Sequence, residues 1–463
     1  MKAQSKIRHR KFSRFSSSSS THVSARSEPK TRANAESRPE YALALSLPVV
    51  ELETCYPSDE MIYSVFFPWY HENYWSMLQE MEMDRKCGVT LQFGPDNPVG
   101  TGFSYAEDAK LLVKNDDENA ADLTTLLIEV FNSQKSLQNN PLYIVGESYG
   151  GKVAVTLALS ALKAIKNRRL KLKLGGVALG NSWMSPEDYV FSWGPLLSDV
   201  SRLDNNGLNE SNSVANQIKQ QLAAGKFAEA TASVDKLQDV IIQNSNAVVI
   251  FTSGSASSAK SSVIWLTAVD WVNMYNFLYD QSSQSSSQAT SELSKKMWMK
   301  GYSRYLNSLA TTSCDGDLDT QLNYLVTLMN GQIRNKLKII PKSVRWVLLA
   351  DPVYEAMVGD FMKPRIQEVD QLLAQGVNVT IYNGQITYQL CSIIKWSGLN
   401  RFLLTKRIPF YCGAHPEYTA GFVRSYNNFK FYWILGAGHL VPLEQPCTAL
   451  DMITNITQSP ALS

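Results

Sequence analysis

The 463-residue sequence predicts an α/β fold, with a mostly parallel central sheet flanked by helices and carrying a helical insertion. Three observations lead there. Strand-like and helix-like segments alternate between residues 90 and 179, the pattern of strands joined by helical crossovers. Hydrophobic residues make up 44% of the chain, enough for a sizeable core in one large α/β unit. From residue 185 to 341, strand signals thin out and helical periodicity takes over.

In chain order, residues 1–40 read as a disordered, basic, serine-rich tail. Lys2, Lys6, Arg8, Arg10, Lys11, Arg14 and Arg26 fall in its first 27 residues with no acid among them. The same composition suits an organellar transit segment or a mispredicted start. Residues 41–92 are atypical, with an aromatic cluster of Phe66, Phe67, Trp69, Tyr70, Tyr74 and Trp75 that the pattern does not place. Regular alternation occupies 93–184: a strand over 90–93, a helix over 119–131, a strand over 142–145, a helix over 153–165 and a strand over 174–179. Residues 185–341 form the helical insertion, with helices over 213–222, 226–243, 291–309 and 318–328. It is interrupted by an irregular stretch at 248–268, and a serine run at 282–287 forms a surface loop. The sheet returns in 342–463, with a helix over 353–374, strands over 377–382 and 429–435, and a last helix over 446–456.

Residues 141–152, P-L-Y-I-V-G-E-S-Y-G-G-K, carry the strongest chemical signal. An apolar strand runs into G-x-S-x-G and then into an apolar helix. A serine delivered this way sits on a strained turn, and its flanking glycines let the chain pass without a Cβ in the way. Ser148 is the candidate nucleophile. A serine hydroxyl attacks only when a base accepts its proton, so a histidine is required downstream. Of the five histidines, His9 and His22 lie in the polar tail, His71 precedes the elbow, and His415 sits in the loop-like C-G-A-H-P-E. His439 differs, because it follows the buried-strand pattern F-Y-W-I-L on a glycine-rich turn, G-A-G-H-L-V-P. A loop at the carboxyl end of a sheet strand is where such a base belongs.

Further blocks accompany these two: D-N-P-V-G-T-G-F-S-Y at 96–105, G-G-V-A-L-G-N-S-W-M-S-P at 175–186, F-S-W-G-P-L-L at 191–197, M-N-G-Q-I-R-N-K-L-K-I-I-P at 329–341, F-M-K-P at 361–364 and Y-N-G-Q at 382–385. In this order, from about residue 93 to the end, they resemble the serine carboxypeptidase family. Within it, the chain resembles the plant serine carboxypeptidase-like proteins related to the retinoid-inducible carboxypeptidases. The resemblance implies an α/β-hydrolase fold with a helical cap and removal of C-terminal residues from peptides through an acyl-enzyme. Some plant members act instead as acyltransferases, so peptides and acyl esters are both candidate substrates. Carried over, Ser148 is the nucleophile, His439 the general base and Glu147 the acid that binds the substrate's terminal carboxylate, while the Tyr149 N–H forms half of the oxyanion hole. A carboxylate at Glu147 would repel that terminus unless protonated, so its pKa should be raised and activity biased toward acidic pH.

The chain also departs from the family pattern. The catalytic Asp expected shortly after Y-N-G-Q is absent, since Ile386, Thr387 and Tyr388 stand there and the only acids in 371–450 are Glu417 and Glu444. Asp370 falls on the preceding helix. The upstream G-G-P-G loop, the other half of the oxyanion hole, is also absent, because the Gly-Gly pairs are 150–151 and 175–176. The N-terminal part of the sheet is therefore expected to be incomplete and the catalytic activity impaired. The abrupt edges of these gaps and of 248–268 fit a disrupted reading frame better than gradual drift, and a non-catalytic relative is the other alternative.

The net charge of +2 argues against nucleic acid as a partner, and no stretch reaches the roughly 18 apolar residues of a membrane span. Six cysteines, Cys55, Cys87, Cys314, Cys391, Cys412 and Cys447, lack C-x-x-C spacing, so neither a metal nor another cofactor is expected; their pairing stays open. The family resemblance implies the secretory pathway, a vacuole or the exterior, although no secretory signal opens the chain. Acceptor sequons occur at Asn209, Asn378 and Asn455. Oligomeric state is not readable.

Overall fold

The computed structural model describes residues 94–245, 326–338, 340–347, 350–385, 394–413 and 418–457, together with Asn276 and short strands at Tyr41–Ala42, Ile62–Phe67, Thr90–Phe93, Trp271–Val272 and Asp280–Gln281. Apolar β-branched and aromatic runs fold as strands, and segments with helical periodicity link them. Up to the insertion these are β1 (Ile62–Phe67), β2 (Thr90–Phe93), α1 (Asp116–Ser133), β3 (Pro141–Glu147), α2 (Tyr149–Lys166) and β4 (Lys173–Gly180). The insertion contributes α3 (Pro186–Asp199), α4 (Asn205–Ala223) and α5 (Phe227–Asn244). The chain then forms α6 (Asp351–Phe361), α7 (Ile366–Ala374), β5 (Asn378–Gly384), α8 (Leu399–Leu404), β6 (Ile408–Tyr411), β7 (Thr419–Tyr426), β8 (Phe429–Ile434), α9 (Val441–Glu444) and α10 (Pro446–Thr457).

Eight strands form one sheet in the order β6-β7-β8-β5-β4-β3-β1-β2, parallel from β8 to β2 and antiparallel from β6 to β8. Alternation along each central strand separates two cores. Leu142, Ile144, Val177, Leu179, Val379, Ile381, Phe429 and Phe431 face α1 and α2, whereas Tyr143, Val145, Ala178, Tyr382, Tyr432 and Ile434 face α10. A third cluster, built on Val190, Leu197, Val214, Ile218, Val234, Leu237 and Ile241, belongs to the insertion helices. Trp183 bridges it to the main core, its ring 5.0 Å from that of Tyr189 and 5.6 Å from that of Phe361.

Several expectations change. The segment 41–92, which carries no family block, supplies β1 between β3 and β2, and most of the rest of it lies outside the described residues. The helix expected over 353–374 is two helices, because Pro364 has no N–H to donate and disfavours helical backbone at Lys363. The freed Arg365 N–H bonds Met184 O at 2.9 Å. The antiparallel strands β6 and β7 were not anticipated: Ile408 and Pro409 are exposed on an edge strand, so no buried face stamps a clear period on the sequence. The helix at 291–309, most of that at 318–328, the stretch 248–268, the serine run, residues 69–75 and His9, His22, His71 and His415 lie outside the described residues.

A buried ionic cluster joins three elements around α2. Lys152, with no exposed surface, donates to Asp360 O (2.6 Å) and Phe361 O (3.0 Å) and lies 3.5 Å from Asp116 Oδ2 and 3.8 Å from Asp360 Oδ2. Arg365 Nε meets Asp116 Oδ2 at 3.0 Å, and its other nitrogens reach Asp117 and Glu368. Burial pushes Asp116 up, but Lys152, a hydrogen bond with Asp360 and Arg365 outweigh it and hold the carboxyl below its usual value. Asp360 is raised to about 6 by burial and by the charge of Asp116. Removing one partner of such a cluster leaves the others charged in a dry interior. Lys152→Met is expected to lower the unfolding free energy by about 3 kcal/mol, read as a reduced urea midpoint at pH 7 with an unchanged slope.

Candidate active site

Ser148 stands between the last residue of β3 and the first of α2, with φ 57° and ψ −126°. A positive φ is costly for serine, and the surrounding hydrogen bonds hold it. The Ser148 N–H donates to Gly180 O at 2.9 Å, and Ser148 O accepts from Trp183 N (2.9 Å) and Gly151 N (3.1 Å). A Cβ on Gly146 would lie 2.2 Å from Gly150 O, so the strand can approach the helix start only as glycine. Ser148 occupies the cap position of α2 without a side-chain capping bond. Tyr149 opens that helix, where backbone N–H groups point out of the helix end and favour negative charge. Its side chain turns the other way: the hydroxyl donates to Asp116 Oδ1 at 2.8 Å, and the ring stacks on Phe361 at 5.7 Å.

His439 lies on the turn after β8. Two strands, β5 and β4, separate β8 from the strand that delivers Ser148, yet the turn folds back across the carboxyl rim. A Cβ on Gly384, at the end of β5, would lie 2.1 Å from Gly438 O. Asn181, the residue after β4, donates from Nδ2 to His439 O at 2.6 Å. The preceding residue, Gly180, accepts the Ser148 N–H. The elbow and the histidine turn therefore meet on adjacent residues of one segment. Gln385 Oε1 accepts from Gly436 N (3.0 Å), Gln445 Nε2 donates to Gly436 O (3.3 Å) and Glu444 Oε2 accepts from Gly438 N (2.9 Å). Burial lowers the His439 imidazole to about 4.

Glu147 ends β3 at the same rim. Tyr382 Oη donates to Glu147 Oε2 at 3.5 Å, the long end of hydrogen bonding. Burial raises the Glu147 carboxyl to about 8, with a further push from the charge of Glu444. Glu444 is itself raised by burial and accepts from Asn276 Nδ2 at 2.5 Å. The four residues singled out in the sequence thus gather at one end of the sheet, and burial favours the neutral forms of both Glu147 and His439.

The chain matches the serine carboxypeptidase family over residues 95–459. It belongs to the serine carboxypeptidase family. It is 46% identical over 383 residues to serine carboxypeptidase-like 51 of Arabidopsis thaliana, covering 79% of this chain and 76% of that one. To the retinoid-inducible serine carboxypeptidase of Mus musculus it is 38% identical over 371 residues, covering 78% and 74%. In fold it is similar to the prohormone-processing carboxypeptidase Kex1 of Saccharomyces cerevisiae, with a TM-score of 0.65 at 17% identity over 94% of this chain and 90% of that one. This chain is thus a serine carboxypeptidase homologue on an α/β-hydrolase scaffold.

Other features complete the site's surroundings. Residues 386–388, where the family acid is expected, lie outside the described residues. Asp370 sits on α7 and accepts from Lys395 N at 3.0 Å. Among the described residues no cluster of His, Cys, Asp or Glu is arranged to hold a metal ion, and no helix is long and apolar enough to cross a membrane. Cys412 and Cys447 form a disulfide with Cα atoms 5.8 Å apart. Sequence reasoning missed Asn181, Tyr382 and Glu444 as neighbours of the site. Asn181 and Tyr382 lie inside the family blocks G-N-S-W and Y-N-G-Q, but block membership does not say what a side chain touches.

The two buried groups give opposite pH dependences of stability. A carboxyl raised from 4.5 to about 8 adds stability that is fully present below about 4.5 and is lost as pH rises through about 8. An imidazole lowered from 6.5 to about 4 adds stability that is present above about 6.5 and is lost as pH falls through about 4. Urea midpoints should therefore fall between pH 6.5 and 8, and Glu147→Gln is expected to remove that alkaline fall while keeping the acid one.

Proposed function

We propose that this serine carboxypeptidase homologue releases C-terminal residues from peptides by way of an acyl-enzyme on Ser148. The Ser148 oxygen attacks the carbonyl carbon of the last peptide bond, and His439 accepts the hydroxyl proton. The resulting oxyanion takes a hydrogen bond from the Tyr149 N–H at the start of α2. The protonated imidazole then gives its proton to the departing amine. Water enters, His439 takes a proton from it, and hydrolysis of the ester regenerates Ser148. Protonated Glu147 donates to the carboxylate of the substrate's C-terminal residue, as a charged glutamate could not. The observation that carries this reading is the convergence of Ser148 and the His439 turn on Gly180 and Asn181.

Turnover by this chain is reduced. Absence of the acid after Gln385 leaves the imidazolium without its usual counter-charge, which lowers turnover by about ten-thousand-fold. Loss of one oxyanion donor lowers it by about a hundred- to a thousand-fold, and the two losses do not simply multiply. The Cys412–Cys447 disulfide and exposed sequons at Asn209, Asn378 and Asn455 favour an oxidising compartment of the secretory pathway, a vacuole or the exterior, and glycosylation at those sites.

Two experiments test the assignment. A fluorophosphonate probe should label the chain covalently, and Ser148→Ala and His439→Ala should abolish labelling. A well-folded wild-type chain that never labels would instead be a non-catalytic relative. On a peptide with a free C-terminus, cleavage should be confined between about pH 4, where His439 becomes charged, and about pH 8, where Glu147 does. Glu147→Gln should lose the alkaline limb, and a C-terminally amidated peptide should be cleaved more slowly than the free acid.

A further inference from the structure

Asn181 is 1% exposed, has a left-handed backbone (φ 39°) and directly follows β4. Its N–H donates to Tyr382 O at 2.9 Å, tying it to the neighbouring strand β5. Its side-chain oxygen accepts from Gly384 N at 3.1 Å, while Nδ2 donates to His439 O at 2.6 Å and to Gly438 O at 3.3 Å. These partners fix which end of the amide is which, because the reverse orientation would set an oxygen against two carbonyls and an NH₂ against an N–H. On either side of Asn181, Gly180 O accepts the Ser148 N–H and Trp183 N donates to Ser148 O. Ser182 Oγ donates to Gly146 O at 3.3 Å.

We infer that Asn181 is a positioning residue for catalysis: its side chain clamps the His439 turn to the segment that holds the Ser148 backbone, fixing imidazole and hydroxyl in one frame. The inference rests on the assignment of Ser148 and His439 above, and it adds a residue that touches neither substrate nor reacting atoms. The His439 turn is rich in glycine and leaves β8 two strands away from β4, so a fixed position at the rim requires an anchor beyond its own backbone preferences. An amide suits that anchor, since a donor and an acceptor on one short side chain are needed to bridge two carbonyls and one N–H. Asparagine also adopts the left-handed conformation at low cost, which a longer or branched side chain does not.

Asn181→Asp keeps the shape, the left-handed tolerance and the acceptor for Gly384 N, and it replaces the donor to His439 O and Gly438 O with a second oxygen, which carries a charge unless it is protonated. Asn181→Gly tolerates the same backbone and removes the side chain, so it serves if the aspartate variant fails to fold. Labelling of Ser148 is followed against fluorophosphonate concentration, beside thermal unfolding. The maximal labelling rate should fall by about tenfold to a hundredfold, with the half-saturating probe concentration unchanged and unfolding still cooperative. Labelling at the wild-type rate in either folded variant would overturn the inference. A purely structural role would lower the unfolding midpoint without changing the rate per folded molecule.

Hydrogen exchange on the intact protein separates the clamp from the catalytic assignment. Faster exchange over residues 436–440 in the variants, with 143–147 still protected, supports the clamp even if the wild-type chain never labels and the assignment itself fails. Unchanged exchange over 436–440 would reject the clamp whatever the labelling shows.

Discussion

Lys152 brings a full charge into the core on the first turn of the helix that Ser148 introduces, and the way that charge is met determines where the helix lies. Its ammonium group faces Asp116 at the start of α1 and Asp360 at the end of α6, and it bonds the carbonyls of Asp360 and Phe361. Arg365, on the chain after Pro364, supplies a second positive charge to the same two aspartates. Charges so dry are tolerated only with partners close by, so α1, α2 and the α6–α7 corner cannot shift independently. The break at Pro364 acquires a purpose in this setting, because a continuous helix would carry Arg365 along α6 instead of turning the chain at that corner.

Above this foundation the elbow has little freedom. The Tyr149 side chain is drawn down onto Asp116 and Phe361, while its backbone N–H remains at the helix start beside Ser148. One residue therefore links the ionic cluster to the rim that carries Ser148. Trp183 extends the connection to the helical insertion through Tyr189, so the elbow rests between a charged core on one side and an aromatic seam on the other.

At the rim itself the governing effect is desolvation. Burial penalises whichever form is charged, and it therefore moves a carboxyl and an imidazole in opposite directions: Glu147 keeps its proton and His439 gives its proton up. In the proposed roles, an imidazole that stays neutral in acid and a carboxyl that stays neutral near pH 7 suit a reaction on a substrate that carries its own carboxylate. In the mechanism proposed here the same effect makes a counter-charge for His439 matter, since an imidazolium formed in such a site gains little from water.

The candidate residues Ser148 and His439, the elbow and most central strands were legible in the sequence because each rests on local chemistry: glycines around a strained serine, an apolar run before a glycine turn, a period of two on a buried strand. Membership of the family was legible for a similar reason, since long irregular blocks seldom recur by chance. Strand β1 was not legible in 41–92, where family blocks are missing, and edge strand β6 lacks the buried face that would have given it a pattern. The division of α6 from α7 was written in Pro364 but hidden by apolar residues that kept helical spacing across it. Residues far apart in the chain converge only when parallel strands stack in their order, and no local pattern encodes that order. Sequence alone thus determined which groups could do the chemistry, and the tertiary structure decided how they are held: Asn181 against the His439 turn, Lys152 between two aspartates, Glu147 buried enough to stay neutral.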